Sequence, residues 1–249
     1  MSQIRLDMLT AKALKISRKD AKSLITKGRI EINGEVLKKP ETKVSEDAAI
    51  SFDGRSCFYK KFLYILQNKP LGIVSSTDDH DGQTVLDILP QEFKRDGLFP
   101  AGRLDKYSHG MMIITDDGKF AHRMLAPSSH VEKEYYVRTQ EPVISQDMAE
   151  EFSKGVYLGD GQYSSPAQMT IIDEYSAYIT IHEGIYHQVR RMLKSMGGTV
   201  IDLKRVRIGA LTLDEKLKEG ESRLLTEEEV SALLEKKSAD TIKQMKFRI

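Results

Sequence analysis

Apolar residues first recur at helical spacing, at Leu6, Leu9 and Ala13, which marks one buried face of an α-helix. Ser17 restarts the pattern as an N-cap with Asp20 three residues on, and Ala21, Leu24 and Ile25 define the inward face of a second, short helix. Gly28 stands where a left-handed residue would end that helix. The period then drops to two. Ile30 and Ile32 alternate with polar neighbours up to Asn33-Gly34, a strong hairpin signal, and Val36 resumes on the return strand. Two helices packed on a hairpin predict a compact unit of about 60 residues, near the lower limit for independent folding. The polar stretch from Ser51 to Lys61, with Gly54 inside it, reads as a linker.

Beyond residue 60 the texture changes to short strands, such as Phe62 to Leu66, Tyr135 to Thr139 and Tyr178 to His182, separated by helical stretches. This is an α+β pattern. In the strand at Tyr135, alternation sends Tyr136 to the opposite face. Near the end, Thr226 and Glu229 form a capping box, and Leu225 and Val230 are placed as a hydrophobic staple, predicting a helix from about Glu227 to Lys236. Two domains are therefore expected, at 1–60 and 61–249.

Composition narrows the class only slightly. Hydrophobic residues at 40% can fill a core, so disorder is not the default. Cys57 is the only cysteine, which rules out an intramolecular disulfide and a multi-cysteine zinc cluster. With no signal-peptide core and no apolar run near the roughly 20 residues that cross a bilayer, a cytoplasmic protein without membrane association is expected. Charge says more once divided. Residues 1–61 carry 14 Lys/Arg against 8 Asp/Glu, a net of +6, and the remaining 24 against 29 leave −5. Such segregation fits a small polyanion-binding module joined to a mildly acidic body, although a solvated helix face would give the same numbers.

The string Arg5-Leu6-Asp7, Ser17-Arg18, Ala21, Leu24-Ile25, Gly28-Arg29-Ile30, Asn33-Gly34, Lys39-Pro40 and Val44 resembles the S4 domain across residues 3–52. The resemblance implies binding to structured RNA through the second helix and the hairpin. Arg18, Lys19, Lys22, Lys27 and Arg29 are the candidate contacts, since rigidly spaced cations can match the phosphates of a folded RNA.

Gly102-Arg103-Leu104-Asp105 is followed by Ser108, Gly110, the apolar run Met111 to Ile114 and Thr115-Asp116-Asp117-Gly118. An isolated Asp in such a place can be a turn residue bonding its own backbone. The surrounding pattern resembles the signature motif of pseudouridine synthases, which implies that Asp105 is catalytic. Three further stretches match that family in order. They are Lys69-Pro70-Leu71-Gly72, the Lys133, Tyr135 and Val137 strand, and Glu183-Gly184-Ile185-Tyr186-His187-Gln188-Val189-Arg190-Arg191-Met192. The resemblance implies that Tyr135 stacks on the target base, that Arg190 pairs with Asp105, and that Arg103 fills the gap left by the flipped base or holds a phosphate. It also implies RNA contacts for Lys69, Lys133, His187, Gln188 and Arg191. Tyr107 departs from the acidic residue common two positions after the catalytic Asp.

The chemistry asks for these residue types. Moving C1′ of a ribose from N1 to C5 of uracil gains no atoms or electrons, so no cofactor is expected. An ionised carboxylate held at the nucleotide can attack C1′, attack the ring or act as a base. A paired arginine would keep it charged and aimed. The six histidines show no metal-ligand spacing, and no metal is expected. Tyr186-His187 together with the S4-like segment resembles the small-ribosomal-subunit branch of the family, where the large-subunit branch more often has Asn-Arg. The expected partner is thus ribosomal RNA or a small-subunit assembly intermediate, and the expected state a monomer. A non-catalytic RNA-binding protein would have no need to assemble Asp105, Tyr135 and Arg190. The expected architecture is a small S4-like helix-helix-hairpin domain plus a catalytic domain on a mixed, mainly antiparallel sheet.

Overall fold

A computed structural model describes residues 3–57, 59–78, 80, 82–159 and 161–235. The chain forms two compact units that part between Phe62 and Leu63. In the first, strand β1 (Gln3–Arg5) leads into α1 (Leu6–Leu14) and α2 (Arg18–Thr26), followed by β2 (Ile30–Ile32), β3 (Glu35–Val36), β4 (Lys43–Ser45), β5 (Ile50–Phe52) and β6 (Arg55–Cys57). Ser17 caps α2 by accepting from the Asp20 amide at 3.1 Å, and Gly28 leaves the helix at φ 70°. Asn33 and Gly34 both take positive φ, as a hairpin turn that follows the strand twist requires. Leu6, Leu9, Ile25, Ile30, Ile32, Val44 and Ile50 fill the core.

Residues 51–57 are not a linker. They complete β5, turn at Asp53-Gly54 and return as β6, so the four-stranded sheet runs β3-β2-β5-β6. Polar Ser51, Arg55 and Ser56 hid this because an edge hairpin has one solvated face. Asp7 is fully buried at the start of α1, where Arg5 at 3.1 Å and Arg18 at 2.9 Å offset its loss of water and hold its carboxyl well below the usual range, at about 2.

The second unit contains β7 (Tyr64–Lys69), β8 (Phe99–Pro100), β9 (His109–Thr115), α3 (Gly118–Leu125), β10 (Lys133–Thr139), α4 (Gln146–Lys154), β11 (Tyr157–Gly159) and β12 (Gln162–Tyr163). It continues with β13 (Gln168–Ile171), β14 (Ser176–Ile181), α5 (Gln188–Ser195), β15 (Val200–Ile208), β16 (Leu211–Thr212), β17 (Ser222–Leu224) and α6 (Glu227–Ala232). The main sheet runs β13-β14-β10-β15-β9-β7-β17 and is antiparallel except where β15 meets β9. This is the mixed α+β architecture the sequence pattern implied.

β9 is buried along its whole length because both faces of the sheet are covered. Met112 and Ile114 enter one core with Met148 and Phe152 of α4 and Val189, Met192 and Leu193 of α5. Met111 and Ile113 enter the other with Phe120, Ala121 and Met124 of α3. Each such large side chain contributes about 1.5–3 kcal/mol relative to exposure. The capping box at Thr226 and Glu229 is reciprocal, at 3.0 and 3.2 Å, but α6 ends at Ala232, and the expected end at Lys236 lies outside the described residues. Among the described residues no helix is long and apolar enough to cross a membrane.

Candidate active site

The parallel junction of β9 and β15 sets the site. Gly110 lies opposite Arg205 at φ 97°, and a Cβ there would collide with the Arg205 carbonyl oxygen, so only glycine lets the strands meet. The Gly-Arg-Leu-Asp turn leads into β9 just upstream. Leu104 is buried, and the Ser75 hydroxyl both accepts from its amide at 3.0 Å and donates to its carbonyl at 2.7 Å. The turn closes when the Ser108 amide donates to the Asp105 carbonyl at 3.0 Å. Beneath it, the buried Lys69 ammonium donates to the carbonyls of Pro70 (3.1 Å), Asp105 (3.2 Å) and Ser108 (2.7 Å).

The main chain around Asp105 is therefore held on several sides, while its side chain stays 32% exposed. That carboxylate does not cap its own turn. It faces α5, with His187 Nε2 at 3.3 Å from Oδ1 and Arg190 Nε at 3.9 Å from Oδ2. Arg190 is thus the looser of the two neighbours, and its guanidinium donates chiefly elsewhere, to the carbonyls of Tyr107 (2.6 Å) and Val200 (3.1 Å) and to Ser108 Oγ (3.3 Å). It ties the Asp105 turn to α5 and to the start of β15. The sequence reading missed the nearness of His187, for no spacing rule links it to a residue 82 positions earlier.

Tyr135 shares its core with Leu104, the neighbour of Asp105, and with Val189, the neighbour of Arg190, so three separated motifs converge on one face of the sheet. Alternation along β10 buries Lys133, Tyr135 and Val137 and leaves Tyr136 half-buried. Tyr135 is only 8% exposed, a more covered ring than an open stacking face would present. Lys133 donates to the Val131 carbonyl at 3.2 Å and, like Lys69, is pushed down to about 8, mainly by burial, with nearby Arg205 acting in the same direction. Arg205 is itself buried and donates to the Met111 carbonyl at 2.7 Å and the Arg103 carbonyl at 3.4 Å. Buried positive charge therefore stands behind the Asp105 turn.

Several expected RNA contacts are turned inward. Lys69 and Lys133 spend their ammonium groups on carbonyls. Gln188 is buried and organises the loop before α5, accepting from the Ile185 amide at 3.2 Å and donating to Glu183 at 2.7 Å. Arg191 donates to the carbonyls of Leu158 (3.0 Å) and Gly159 (3.4 Å) and to Gln162 (2.9 Å). Arg103 is exposed. In the first unit Lys19, Lys22 and Lys27 are exposed, whereas Arg18 is engaged with Asp7 and Arg29 is paired with Asp53 while lying over the Phe52 ring. No group of His, Cys, Asp and Glu able to hold a metal occurs among the described residues.

A pinned turn presenting a carboxylate on a mixed sheet, in a chain that also carries an S4-like unit, defines a class. Residues 63–195 match the RNA pseudouridylate synthase family and residues 4–50 match the S4 domain, and the chain belongs to the RNA pseudouridylate synthase family. It is 41% identical over 231 residues to the ribosomal small subunit pseudouridine synthase A of Vibrio cholerae, covering 92% of this chain and 99% of that one. The Escherichia coli protein of the same name is 40% identical over 235 residues, covering 93% and 100%. Among solved structures, a crystal structure of a pseudouridylate synthase superposes with a TM-score of 0.65 at 34% identity, covering 92% of this chain and 99% of that one.

Proposed function

We propose that this protein converts a uridine of small-subunit ribosomal RNA into pseudouridine, with the Asp105 carboxylate acting on the nucleotide. The observation that carries the proposal is the Asp105 turn. Its main chain is bonded to Lys69 and Ser75 from below and to Arg190 from the side, and the carboxylate, 32% exposed, is left facing His187 and Arg190. Holding one reacting group rigidly in place is what an intramolecular rearrangement asks of a protein. The reaction balances without a cofactor. The C1′–N1 bond breaks, the uracil turns, C1′–C5 forms, a proton leaves C5 and one is taken up at N1.

The choice of small-subunit RNA is supported by the relatives at about 40% identity over more than nine tenths of the chain, and by Tyr186-His187. The S4 unit adds phosphate contacts through Lys19, Lys22 and Lys27. We place the activity in the cytoplasm, in a single chain acting alongside ribosome assembly.

The test is tritium release from ribosomal RNA transcripts carrying tritium at uracil C5. Wild type should release it from the small-subunit and not the large-subunit transcript, and Asp105→Asn should lose about a thousand-fold or more in saturated rate while binding RNA equally well. Release from the large-subunit transcript alone would overturn the substrate assignment, and an active Asn variant would overturn the role of Asp105.

A further inference from the structure

The loop that brings His187 to Asp105 also displays an aromatic surface that the proposed chemistry does not use. Tyr186 is 75% exposed, and its ring lies on the His187 ring with centroids 3.8 Å apart and planes 19° from parallel. His187 takes φ 51°, a left-handed conformation costly for a residue with a side chain. The loop is held in this shape by buried Gln188 through Ile185 and Glu183, and Glu183 is itself bonded to Ser165 at 2.7 and 2.9 Å. An exposed tyrosine is commonplace. A stacked pair on a strained, braced loop, with its inner ring 3.3 Å from the reacting carboxylate, is not.

A second pair adjoins it. Tyr157 and Tyr163 face each other across the β11–β12 hairpin at 5.1 Å, both exposed. One guanidinium connects the two pairs, since Arg191 reaches the Tyr186 carbonyl at 3.4 Å as well as the hairpin's Leu158 and Gly159 carbonyls and Gln162 side chain. Both aromatic pairs are therefore anchored within the span of one side chain.

We propose that Tyr186, backed by His187, is a stacking platform for the nucleobase next to the target uridine, and that the Tyr157–Tyr163 pair receives a further base of the same single strand. Every base has a π-face, so stacking fixes the path of an unpaired strand into the site while remaining tolerant of sequence. The occupant is single-stranded RNA and not a protein, because the platform continues directly into the site where a nucleotide must be reached outside a helix. This rests on the pseudouridine synthase reading, and its test is separable from that reading.

The chain contains no tryptophan, so Tyr186→Trp supplies a sole indole reporter at the platform. In an Asp105→Asn background, which removes turnover from the measurement, single-stranded octauridylate should quench that fluorescence strongly, and the same strand paired with octaadenylate should quench it far less. Equal quenching by both, or by neither, would overturn the proposal whatever the enzyme's substrate proves to be. With tritiated small-subunit RNA, Tyr186→Leu should raise the half-saturating RNA concentration about tenfold or more, the loss falling mainly there, and Tyr186→Phe should restore it because the ring returns. A Leu variant with wild-type half-saturation, or a Phe variant as poor as Leu, would also overturn it. Loss of tritium release from wild type together with strand-selective quenching would leave the platform standing and sink the activity instead.

Discussion

Replacing Arg190 by methionine separates two ways in which this arginine could serve Asp105. Its Nε stands 3.9 Å from the carboxylate, at the outer limit of an ion pair, whereas the guanidinium is 2.6 Å from the Tyr107 carbonyl and 3.1 Å from that of Val200. At about 4 Å near a partly wet surface the charge itself is worth a few kcal/mol at most before desolvation is counted. Leaving two carbonyls without their donor costs about 1–3 kcal/mol each if they stay dry, and less where water can enter. Arg190→Met is therefore expected to lower stability by about 1–3 kcal/mol. The larger effect should fall on the rate, because freeing the turn lets the carboxylate drift, and a displacement of about 1 Å can cost about a hundred-fold. Arg190→Lys decides between the accounts. If charge were the point, lysine would restore the rate almost fully. If the planar fork spanning two carbonyls is the point, lysine should recover only a small part. The assay is single-turnover tritium release at saturating RNA, with urea unfolding of the same variants. A Met variant with wild-type rate and stability, or a Lys variant indistinguishable from wild type, would refute the reasoning.

Three further outcomes are expected. Changing Lys19, Lys22 and Lys27 together to glutamine should reduce the slope of log affinity against log salt by about 2 to 3, read by filter binding of small-subunit RNA, and an unchanged slope would remove these lysines from the interface. Asp7, held at about 2 in the folded state against an ordinary value of 3.8, contributes about 2 kcal/mol that is present above pH 4 and lost as pH falls toward 2. The stability gap between wild type and Asp7→Asn, read from amide exchange at Ile30 and Ile32, should close over that range. Lys133 has the opposite sense, since burial lowers it from 10.5 to about 8, so the unfolded chain binds its proton more tightly and folding gains as pH rises from 8 toward 10.5. Wild type should therefore gain about 2–3 kcal/mol on Lys133→Met between pH 7 and 10 in urea titrations, and a constant difference would show that the ammonium is not desolvated.

Local order in this chain is written locally. The Ser17 cap, the Gly28 stop, the Asn33-Gly34 turn and the Thr226–Glu229 box were legible because each depends on residues within a few positions of one another, and the structure contains each of them. The family and the mixed fold followed from motifs whose residue order is fixed. What the sequence misjudged was the use of polar residues. Lys69, Lys133 and Gln188 look from composition like surface cations and amides, yet strand alternation and loop packing turn them inward, and half-buried Arg191 is likewise bonded to carbonyls and a neighbouring side chain. Nor could spacing reveal that His187, and not Arg190, stands nearest Asp105, or that Arg191 joins two tyrosine pairs. Those relations depend on the parallel meeting of β9 and β15 and on the packing of α5 against the sheet, contacts between segments far apart in the chain. The sequence by itself determined the two helices and the hairpin of the first unit, and it singled out Asp105. Only the tertiary structure decided which neighbours surround it, because burial and hydrogen-bond partners across long separations are properties of the packed chain and not of any stretch of it.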